Sequence, residues 1–297
     1  MGSFDVLAKQ WTSKQWTSKQ WTSNRWTNAD TASQVLRDEH TLATFNVWFS
    51  DFYAEERYRA IADVLSRKMP DVMVFQEITP SALAVFLSQP WIRVRYRCAE
   101  VTGGGVGNYG MLMLSRLPID NVTYSRLPTN LARGFMTAEL GTGGMPLTVV
   151  AVHLESGKAA AGLRARQLAR VTSTLRRVEN AVVLGDFNMR DAENDRIGEP
   201  YRDLWPALRP HDDGFTEDTS INLMRLDSKN KQRHVRFDRV LVKGGGWTAD
   251  DIELLGTEPI STTLPRVFPS DHFGVLCRLK AQAPATEYVR SQRFWRH

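Results

Sequence analysis

Asp271 and His272 stand side by side where an apolar run begins, in the segment FPSDHFGVLC of residues 268–277. Pro269 and Ser270 are turn formers, so a local turn is one interpretation of this pair. The other interpretation is chemical, because a histidine held by a carboxylate can carry its positive charge toward phosphate oxygens. The positions of the other reactive side chains in the sequence decide between these two interpretations.

Polar side chains also follow four other apolar runs. They are Asn46 after residues 42–45, Glu77 after residues 72–76, His153 after residues 148–152, and Asp186 with Asn188 after residues 182–185. Each alone has a structural explanation: a satisfied buried amide, the start of a loop, a core histidine or a tight turn. Strand ends are the usual place for a site on a sheet scaffold, so the joint pattern favours one site.

This set of residue types suits metal-assisted phosphoryl transfer to water. Mg²⁺ keeps most of its waters and takes one or two protein carboxylates. Asp186 and Asn188 lie two residues apart, so in an extended turn the first could accept a proton from water and the second could donate to an oxyanion. Asp238, within RFDR, could be the carboxylate that orients His272. The two cysteines of the chain are far apart, which argues against structural zinc.

Short apolar runs typical of buried strands recur from Thr41 onward. They cover residues 42–47, 72–75, 111–114, 147–154, 181–184, 237–242 and 273–279. Helical patterns lie between some of them, notably at residues 55–68 and 159–178. Since strands outnumber helices, the balance favours an α/β sandwich of two packed sheets flanked by helices over alternating βαβ units.

The N-terminal segment is a repeat in which residues 9–23 read KQWTS three times, followed by NRWTN. Tryptophans five residues apart share no face of a helix or a strand. We therefore predict that residues 1–38 form a disordered tail, followed by one catalytic domain at residues 39–281 and a C-terminal tail at residues 282–297. The alternative is that the aromatic and lysine side chains stack on single-stranded nucleic acid.

Charge and hydropathy restrict the function only loosely. The net charge is +5, and the first 30 residues contribute four basic and two acidic side chains to it, so phosphate binding has to come from specific positions. No apolar run approaches the roughly 18 residues of a membrane helix, and the first residues, MGSFDVLAKQ, do not resemble a signal peptide. We expect an intracellular protein, in the nucleus or the cytoplasm, with no membrane partner.

Five motifs, in order, are TFN (44–46), FQE (75–77), HLES (153–156), GDFN (185–188) and SDH (270–272). They resemble the motifs of the endonuclease/exonuclease/phosphatase superfamily of deoxyribonuclease-I-like, Mg²⁺-dependent enzymes, over roughly residues 41–280. The resemblance implies a four-layer α/β sandwich of two packed, mainly antiparallel sheets flanked by helices. Within it, GDFNMRD, RFDRV, LLG and FPSDHFGVLC resemble GDTNLRD, RFDRI, LLG and FPSDHWGLLC of the branch that removes tyrosyl adducts from DNA.

The resemblance also implies a role for each matched residue. Glu77, together with Asp271, would bind Mg²⁺, with Mn²⁺ as a possible substitute, and Asp186 would orient or deprotonate the attacking water. Phosphate oxygens would be bound by Asn46, His153, Asn188 and His272, with Asp238 behind His272. The substrate contacts would come from Arg133, Ser156, Lys158, Arg190 and Asn222; for Ser156 and Asn222, local hydrogen bonding is an equal alternative.

The implied activity is hydrolysis of 5′-phosphotyrosyl–DNA bonds, which leaves a 5′-phosphate and repairs topoisomerase–DNA adducts. The partner would be DNA with a 5′-tyrosyl adduct at a single-stranded end, bound by a monomer. Apurinic-site endonucleases, poly(A) deadenylases and small phosphodiester hydrolases share the same site residues and stay alternatives. A binding protein on a decayed nuclease fold is a further alternative, which the complete set of reactive residues disfavours.

Two positions depart from the pattern of that branch. Its HLESTR becomes HLESGK at residues 153–158, so a forked arginine is replaced by the point charge of Lys158. Its aromatic YTWDT becomes FTEDT, with Glu217 in place of a tryptophan. An acid facing a phosphodiester would weaken binding, so either Phe215, Leu223 or Leu226 rebuilds the groove wall or the substrate differs.

Overall fold

The computed structural model of the chain describes residues 14–16, 19–22, 25–28, 37–102, 106–142 and 144–282. Two β-sheets packed face to face make up much of this part of the chain, and helices lie on their outer faces. None of the helices in these residue ranges is long and apolar enough to cross a membrane.

The first sheet, sheet A, contains seven strands. They are β1 (Lys14–Trp16), β8 (Ile119–Arg126), β9 (Gly134–Leu140), β10 (Leu147–His153), β11 (Ala181–Asp186), β12 (Tyr201–Asp203) and β15 (Asp238–Lys243). Their spatial order is β1-β8-β9-β10-β11-β15-β12. Neighbouring strands are antiparallel, except that β10 and β11 are parallel.

The second sheet, sheet B, contains eight strands. They are β2 (Lys19–Thr22), β3 (Arg25–Asn28), β4 (Glu39–Asn46), β5 (Val72–Ile78), β6 (Arg97–Val101), β7 (Gly110–Ser115), β16 (Trp247–Leu255) and β17 (Gly274–Ala281). Their spatial order is β16-β17-β4-β5-β7-β6-β2-β3, and the parallel pair is β4 with β5. A separate two-stranded ribbon consists of β13 (Glu217–Asp218) and β14 (His234–Val235).

Six α-helices accompany the sheets in the residues that the structure describes. They are α1 (Ala54–Lys68), α2 (Pro80–Ser88), α3 (Pro90–Arg95), α4 (Ala161–Thr174), α5 (Leu204–Leu208) and α6 (Leu223–Lys229), with 3₁₀ turns at Lys158–Ala160 and Asp191–Arg196. Helix α1 has acidic residues in its first turn and basic residues in its last, which complements the helix dipole. The helix predicted for residues 159–178 begins as a 3₁₀ turn and ends at Thr174.

Three apolar layers hold these elements together. Val74 of β5 and Leu184 of β11 lie in the layer between the two sheets. Their neighbours Phe75 and Val183 point outward, where Phe75 packs with helices α1 to α3 and Val183 packs with α4. Both faces of the central strands are therefore buried, which is why they appear in the sequence as unbroken apolar runs. The arrangement is the predicted four-layer α/β sandwich.

All seven predicted strand segments are strands in the structure, and several extend further than predicted. Among the strands without a prediction are β6, β8, β9 and β16. The sequence of β16, WTADDIELL, shows the reason: it has a bulge after Ala249, and its acidic residues pair on the surface, as Glu253 does with Lys68. One exposed face and one irregularity are enough to hide the apolar periodicity.

The N-terminal repeat is described only in part, and there it differs from the predicted disorder. Strand β1 pairs with β8 at the edge of sheet A, and β2 pairs with β6 at the edge of sheet B and with β3 beyond it. A sheet edge offers unpaired backbone groups, and Thr and Trp are favourable strand residues. The remainder of residues 1–36 and the C-terminal residues 283–297 lie outside the described residues.

Arg57 of helix α1 fixes the loop that follows β4. Its side chain is fully buried, and its guanidinium donates to five carbonyl oxygens. These oxygens belong to Val47, Trp48, Ser50, Phe52 and Pro269, at distances of 2.7 to 3.3 Å. One side chain thus ties the loop at residues 47–52 to the segment that precedes Asp271.

We expect Arg57→Met to lower the free energy of unfolding by at least about 3 kcal/mol, because several buried carbonyl groups lose their donor. Urea denaturation measures the change. Arg59→Met is the matched control on the same helix, since the Arg59 side chain is 63% exposed and its ion pair with Glu55 contributes little. An Arg57→Met variant as stable as the control would show that the loop does not depend on these bonds.

Candidate active site

Several predicted site residues meet at one edge of the sandwich, beside a cleft of about 820 Å³. Each parallel pair of strands, β4 with β5 and β10 with β11, ends at this edge. His153 at the end of β10 is paired with Asp186 at the end of β11, and Asp186 is paired with Asp238 at the start of β15. Asn46 at the end of β4 donates from Nδ2 to Asp186 Oδ2 at 3.1 Å, which joins the two sheets.

Asp186 is held by donors on both carboxylate oxygens. The Asn188 backbone N–H donates to Oδ1 at 2.8 Å, and Asn188 Nδ2 donates to Oδ2 at 3.0 Å. Gly185 precedes it with φ of 142°, and a Cβ there would lie 2.1 Å from the carbonyl oxygen of Val152. This close approach requires glycine, which explains the first residue of the GDFN motif.

The electrostatic environment of Asp186 favours the ionised form. Burial by itself would raise the pKa of Asp186, but His153, His272 and the Asn188 backbone N–H lower it below its usual range. A carboxylate with such a low pKa is a weak base, so the geometry suits orienting a water better than deprotonating it.

Asn188 differs from the prediction that it binds phosphate. Its amide group donates to Asp186 and also to the carbonyl oxygen of Leu154, at 3.2 Å. Both donations are made inside the protein, and one of them satisfies the buried Asp186 carboxylate, which needs donors. In the structure, Asn188 therefore positions Asp186.

His153 presents a neutral N–H beside the cleft. Arg133 Nη1 donates to His153 Nδ1 at 3.0 Å and to Tyr109 Oη at 2.9 Å. Since a guanidinium can only donate, Nδ1 must accept, and the proton of the neutral ring lies on Nε2. Burial and the charge of Arg133 lower the pKa of His153 to about 4. Nε2 lies 3.4 Å from Asp186 Oδ2 and has no hydrogen-bond partner among the described residues, so it can donate to a substrate oxygen.

His272 is the cationic histidine of the site. The contact predicted for it is present, because His272 Nδ1 lies 2.8 Å from Asp238 Oδ2. Burial would lower the pKa of His272, but the charge and hydrogen bond of Asp238, with the charges of Asp271 and Asp186, raise it well above 6.5. The Phe237 ring stacks on the imidazole at a centroid distance of 5.9 Å. His272 is therefore charged at neutral pH.

Glu77 reaches the site through an irregularity in β5. The pairing of β5 with β7 shifts at this residue, and Glu77 has φ of 63°. Such bulges redirect a side chain and are common beside active sites. Glu77 Oε2 accepts from the Phe49 backbone N–H at 3.1 Å, and Oε1 lies 3.8 Å from His153 Nε2. Burial, followed by the charge of Asp271, raises the pKa of Glu77 to about 7.

In the described part of the chain, two sets of side chains could hold a divalent metal. Ligand atoms of Asp186, Asp238 and His272 lie within 4.8 Å of one another, but Asp238 and His272 bind each other and donors occupy Asp186. The predicted ligands Glu77 and Asp271 accept no hydrogen bond from a Lys or Arg in the described part of the chain, and burial raises the pKa of both. Two such oxygen ligands fit a hard divalent cation, which would offset their repulsion.

The predicted substrate contacts divide into two groups. Arg133, Ser156, Lys158 and Arg190 line the cleft. Asn222 does not match the prediction, because its side chain is fully buried. Its Oδ1 caps helix α6, and its Nδ2 donates to the carbonyl oxygen of Ser270 at 2.8 Å. It thus supports the segment that carries Asp271, which corresponds to the local hydrogen bonding considered as the alternative.

Glu217 lines the cleft but does not face it as an unpaired acid. Its side chain is buried, with Arg225 Nε at 2.5 Å from Oε1 and Arg233 Nη1 at 3.3 Å from Oε2. Arg225 Nε also lies 3.8 Å from Asp271 Oδ2. The repulsion expected between Glu217 and a phosphodiester is therefore offset by two arginines.

The cleft residues missing from the sequence predictions include Phe49, Tyr109, Arg225 and Arg233. Tyr109 immediately precedes β7, so its sequence signal is a polar residue at the beginning of a strand and not at its end. Phe49 stacks on Tyr109 at 4.9 Å, and the two arginines lie in a visibly basic stretch. Their pairing with Glu217 depends on the fold and leaves no local signal.

Comparisons with known proteins match most of this chain. The Endonuclease/Exonuclease/phosphatase family profile matches residues 43–272. The chain is 29% identical over 255 residues to tyrosyl-DNA phosphodiesterase 2 of Gallus gallus, covering 80% of this chain and 66% of that protein. It is 28% identical to the Homo sapiens protein of the same name, covering 80% and 67%. The chain thus spans about two thirds of the length of these relatives.

A solved structure shares the fold. The Danio rerio TDP2 complexed with single-strand DNA product superposes with a TM-score of 0.73 at 24% identity, covering 82% of this chain and all of that one. The matched profile includes the GDFN and SDH motifs and most of both sheets. The chain belongs to the Endonuclease/Exonuclease/phosphatase family.

Proposed function

We propose that the chain is a Mg²⁺-dependent phosphodiesterase that hydrolyses the bond between a tyrosine and the 5′ end of DNA. The observation that carries the proposal is the convergence of Glu77, Asp186 and His272 at one cleft, with His153 Nε2 3.4 Å from Asp186 Oδ2. Each of these four side chains is in a charge state suited to phosphoryl transfer. The relatives named tyrosyl-DNA phosphodiesterase 2 and the single-strand DNA product in one of them support the choice of substrate.

In the proposed reaction, a water oxygen attacks phosphorus and the bond to the tyrosine oxygen breaks. Asp186, held by Asn46 and Asn188, orients the water. The phenolate leaves with the bonding electrons, and because its pKa is about 10 it needs little help from a general acid. The attacking water gives up one proton to solvent, and the phenolate takes one proton from solvent. The products are a 5′-phosphate on the DNA and a free tyrosine.

Two histidines would stabilise the negative charge on the phosphoryl oxygens. His272 contributes a cation whose charge Asp238 maintains, and His153 contributes a neutral N–H. Donors that are already oriented in a buried site stabilise the transition state more than the ground state. Glu77 and Asp271 would hold the Mg²⁺, which when bound polarises a phosphoryl oxygen.

Matched oligonucleotides with a 5′-phosphotyrosine, an abasic site or a poly(A) 3′ end test the substrate assignment. We expect Mg²⁺-supported cleavage of the first, and loss of activity with a chelator. Asp186→Asn keeps the shape of the side chain and should lower kcat by about 10²-fold or more, which identifies the activity as the protein's own. Faster cleavage of the abasic or poly(A) substrate would assign the chain to another activity of its family.

The Glu77→Gln variant tests metal binding independently of catalytic activity. The folded pKa of Glu77 is about 7, above its ordinary value, so the ionised side chain reduces stability at pH 8. Without metal at pH 8, we expect Glu77→Gln to be about 1–3 kcal/mol more stable than wild type. Wild type should gain several degrees of Tm with MgCl₂, since a ligand at about 100 times its Kd contributes roughly 2.7 kcal/mol.

The Glu77→Gln variant should show no such rise in Tm. Glu253→Gln is the matched control, because Glu253 is a surface residue paired with Lys68 away from the cleft, and it should keep the response to MgCl₂. If Glu77→Gln keeps the wild-type response, Glu77 is not a ligand. Thermal denaturation in MgCl₂ and in EDTA supplies both measurements.

His272 and Asp238 should act as one unit. His272→Ala should lower kcat by about 10²-fold or more, because it removes the cation beside the reacting phosphate. Asp238→Asn should lower kcat less, and the double variant should be little worse than His272→Ala. Losses that multiply in the double variant would show that the two residues act independently, and losses of Tm with intact kcat would indicate a structural role only.

A further inference from the structure

A group of charged residues beside the catalytic residues has no part in the proposed chemistry. Glu217, Arg225, Lys231 and Arg233 line the same cleft as Asp186, and we call them the Glu217 wall. Glu217 lies on β13, Arg225 lies on α6, and Lys231 and Arg233 lie in the segment between α6 and β14. The pairing of β13 with β14 brings the two ends of this stretch together. The wall therefore adds three cations and one acid to the cleft.

The arginines of the wall have different environments. Arg225 is largely buried and lies between two carboxylates, with Nε 2.5 Å from Glu217 and 3.8 Å from Asp271. Arg233 contacts Glu217 only through Nη1, at 3.3 Å, and its side chain is 27% exposed. Glu217 is the only side-chain acceptor of the Arg233 guanidinium in the described residues, so most of the five N–H groups remain available to the cleft.

The backbone of Arg233 is fixed by Thr219. The Arg233 carbonyl oxygen accepts from the Thr219 backbone N–H at 3.0 Å and from Oγ1 at 3.1 Å, and the Arg233 N–H donates to Thr219 Oγ1 at 2.8 Å. A guanidinium fixed at its backbone and at one end of its side chain loses little entropy when it binds an anion. A flexible surface arginine would not have this property.

We propose that Arg233, positioned by Glu217 and Thr219, is a specificity-determining residue that binds a DNA backbone phosphate next to the scissile one. The inference rests on the proposed function, because it assumes a DNA strand in the cleft. Each further nucleotide of that strand adds one phosphate with a full negative charge. The tyrosine side of the scissile bond adds no phosphate. A planar guanidinium matches the geometry of phosphate, and such a contact is independent of base sequence.

Three substrates test this contact. The first is a 5′-tyrosyl oligonucleotide, and the second is the same molecule with an uncharged methylphosphonate at its first internal linkage. The third is the 4-nitrophenyl ester of thymidine 5′-monophosphate, which has the reacting phosphate alone. For wild type, we expect kcat/KM to be about 10-fold lower on the second substrate than on the first, because the second lacks one charge-assisted contact.

Arg233→Gln should lose about 10-fold on the first substrate, mainly through KM, and should no longer distinguish the first substrate from the second. The decrease of log(kcat/KM) with log[salt] should be smaller by about 0.7, the value for one single-strand phosphate contact. Arg59→Gln is the matched control: Arg59 lies on α1 as an exposed residue paired with Glu55, and it should behave as wild type.

Two results would overturn the proposal. Arg233→Gln could keep the wild-type discrimination against the methylphosphonate, or it could lose activity equally on all three substrates, which would place its effect at the reacting phosphate or in the fold. If wild type cleaves no tyrosyl substrate, the proposed function fails. The phosphate contact is then tested by the Kd of 5′-phosphorylated oligonucleotides with charged and uncharged linkages, for which the same 10-fold differences are expected.

Discussion

Four carboxylates buried in one small volume, those of Glu77, Asp186, Asp238 and Asp271, impose the main physical constraint on this protein. Like charges in a dry environment repel strongly, so each carboxylate needs its own compensation. Amide donors and histidines compensate Asp186, and the His272 imidazolium compensates Asp238. Glu77 has no comparable partner among the described residues, and its pKa is raised to about 7 by burial and by Asp271. The uncompensated charge lies where the proposed function needs a metal.

The supporting residues explain how such a costly arrangement persists. Glu77 lies at a bulge with a positive φ, and the loop opposite it depends on Arg57, which binds five carbonyl groups. Asn222 holds the carbonyl of Ser270, whose hydroxyl donates to the carbonyl of Asn46 at 2.6 Å. Arg57, Asn222 and Ser270 take no part in the proposed chemistry. They keep the loops in one conformation, which a site at strand ends cannot obtain from the sheets alone.

The sequence was sufficient to predict elements with two buried faces and the polar residues at their ends. The runs that became β5 and β11 are apolar on both sides, so Glu77 and Asp186 stood out where they end. Strands with an exposed face, such as β16, were hidden because surface acids interrupt their period. Long-range compensation was hidden as well: the sequence shows Glu217 as an acid, and only the fold brings Arg225 and Arg233 to it.

The site exists only while the two sheets are packed together. Asn46 of sheet B bonds to Asp186 of sheet A, and His272, which precedes a strand of sheet B, bonds to Asp238 of sheet A. Each pair has one member on each side of the apolar layer that separates the sheets. The volume of that layer sets the distance between the two members of each pair. Because the side chains of the layer are close-packed, adding or removing even one methylene group would change this distance. The geometry of the catalytic residues therefore depends on the packing between the sheets, although none of the described residues of that apolar layer lines the cleft.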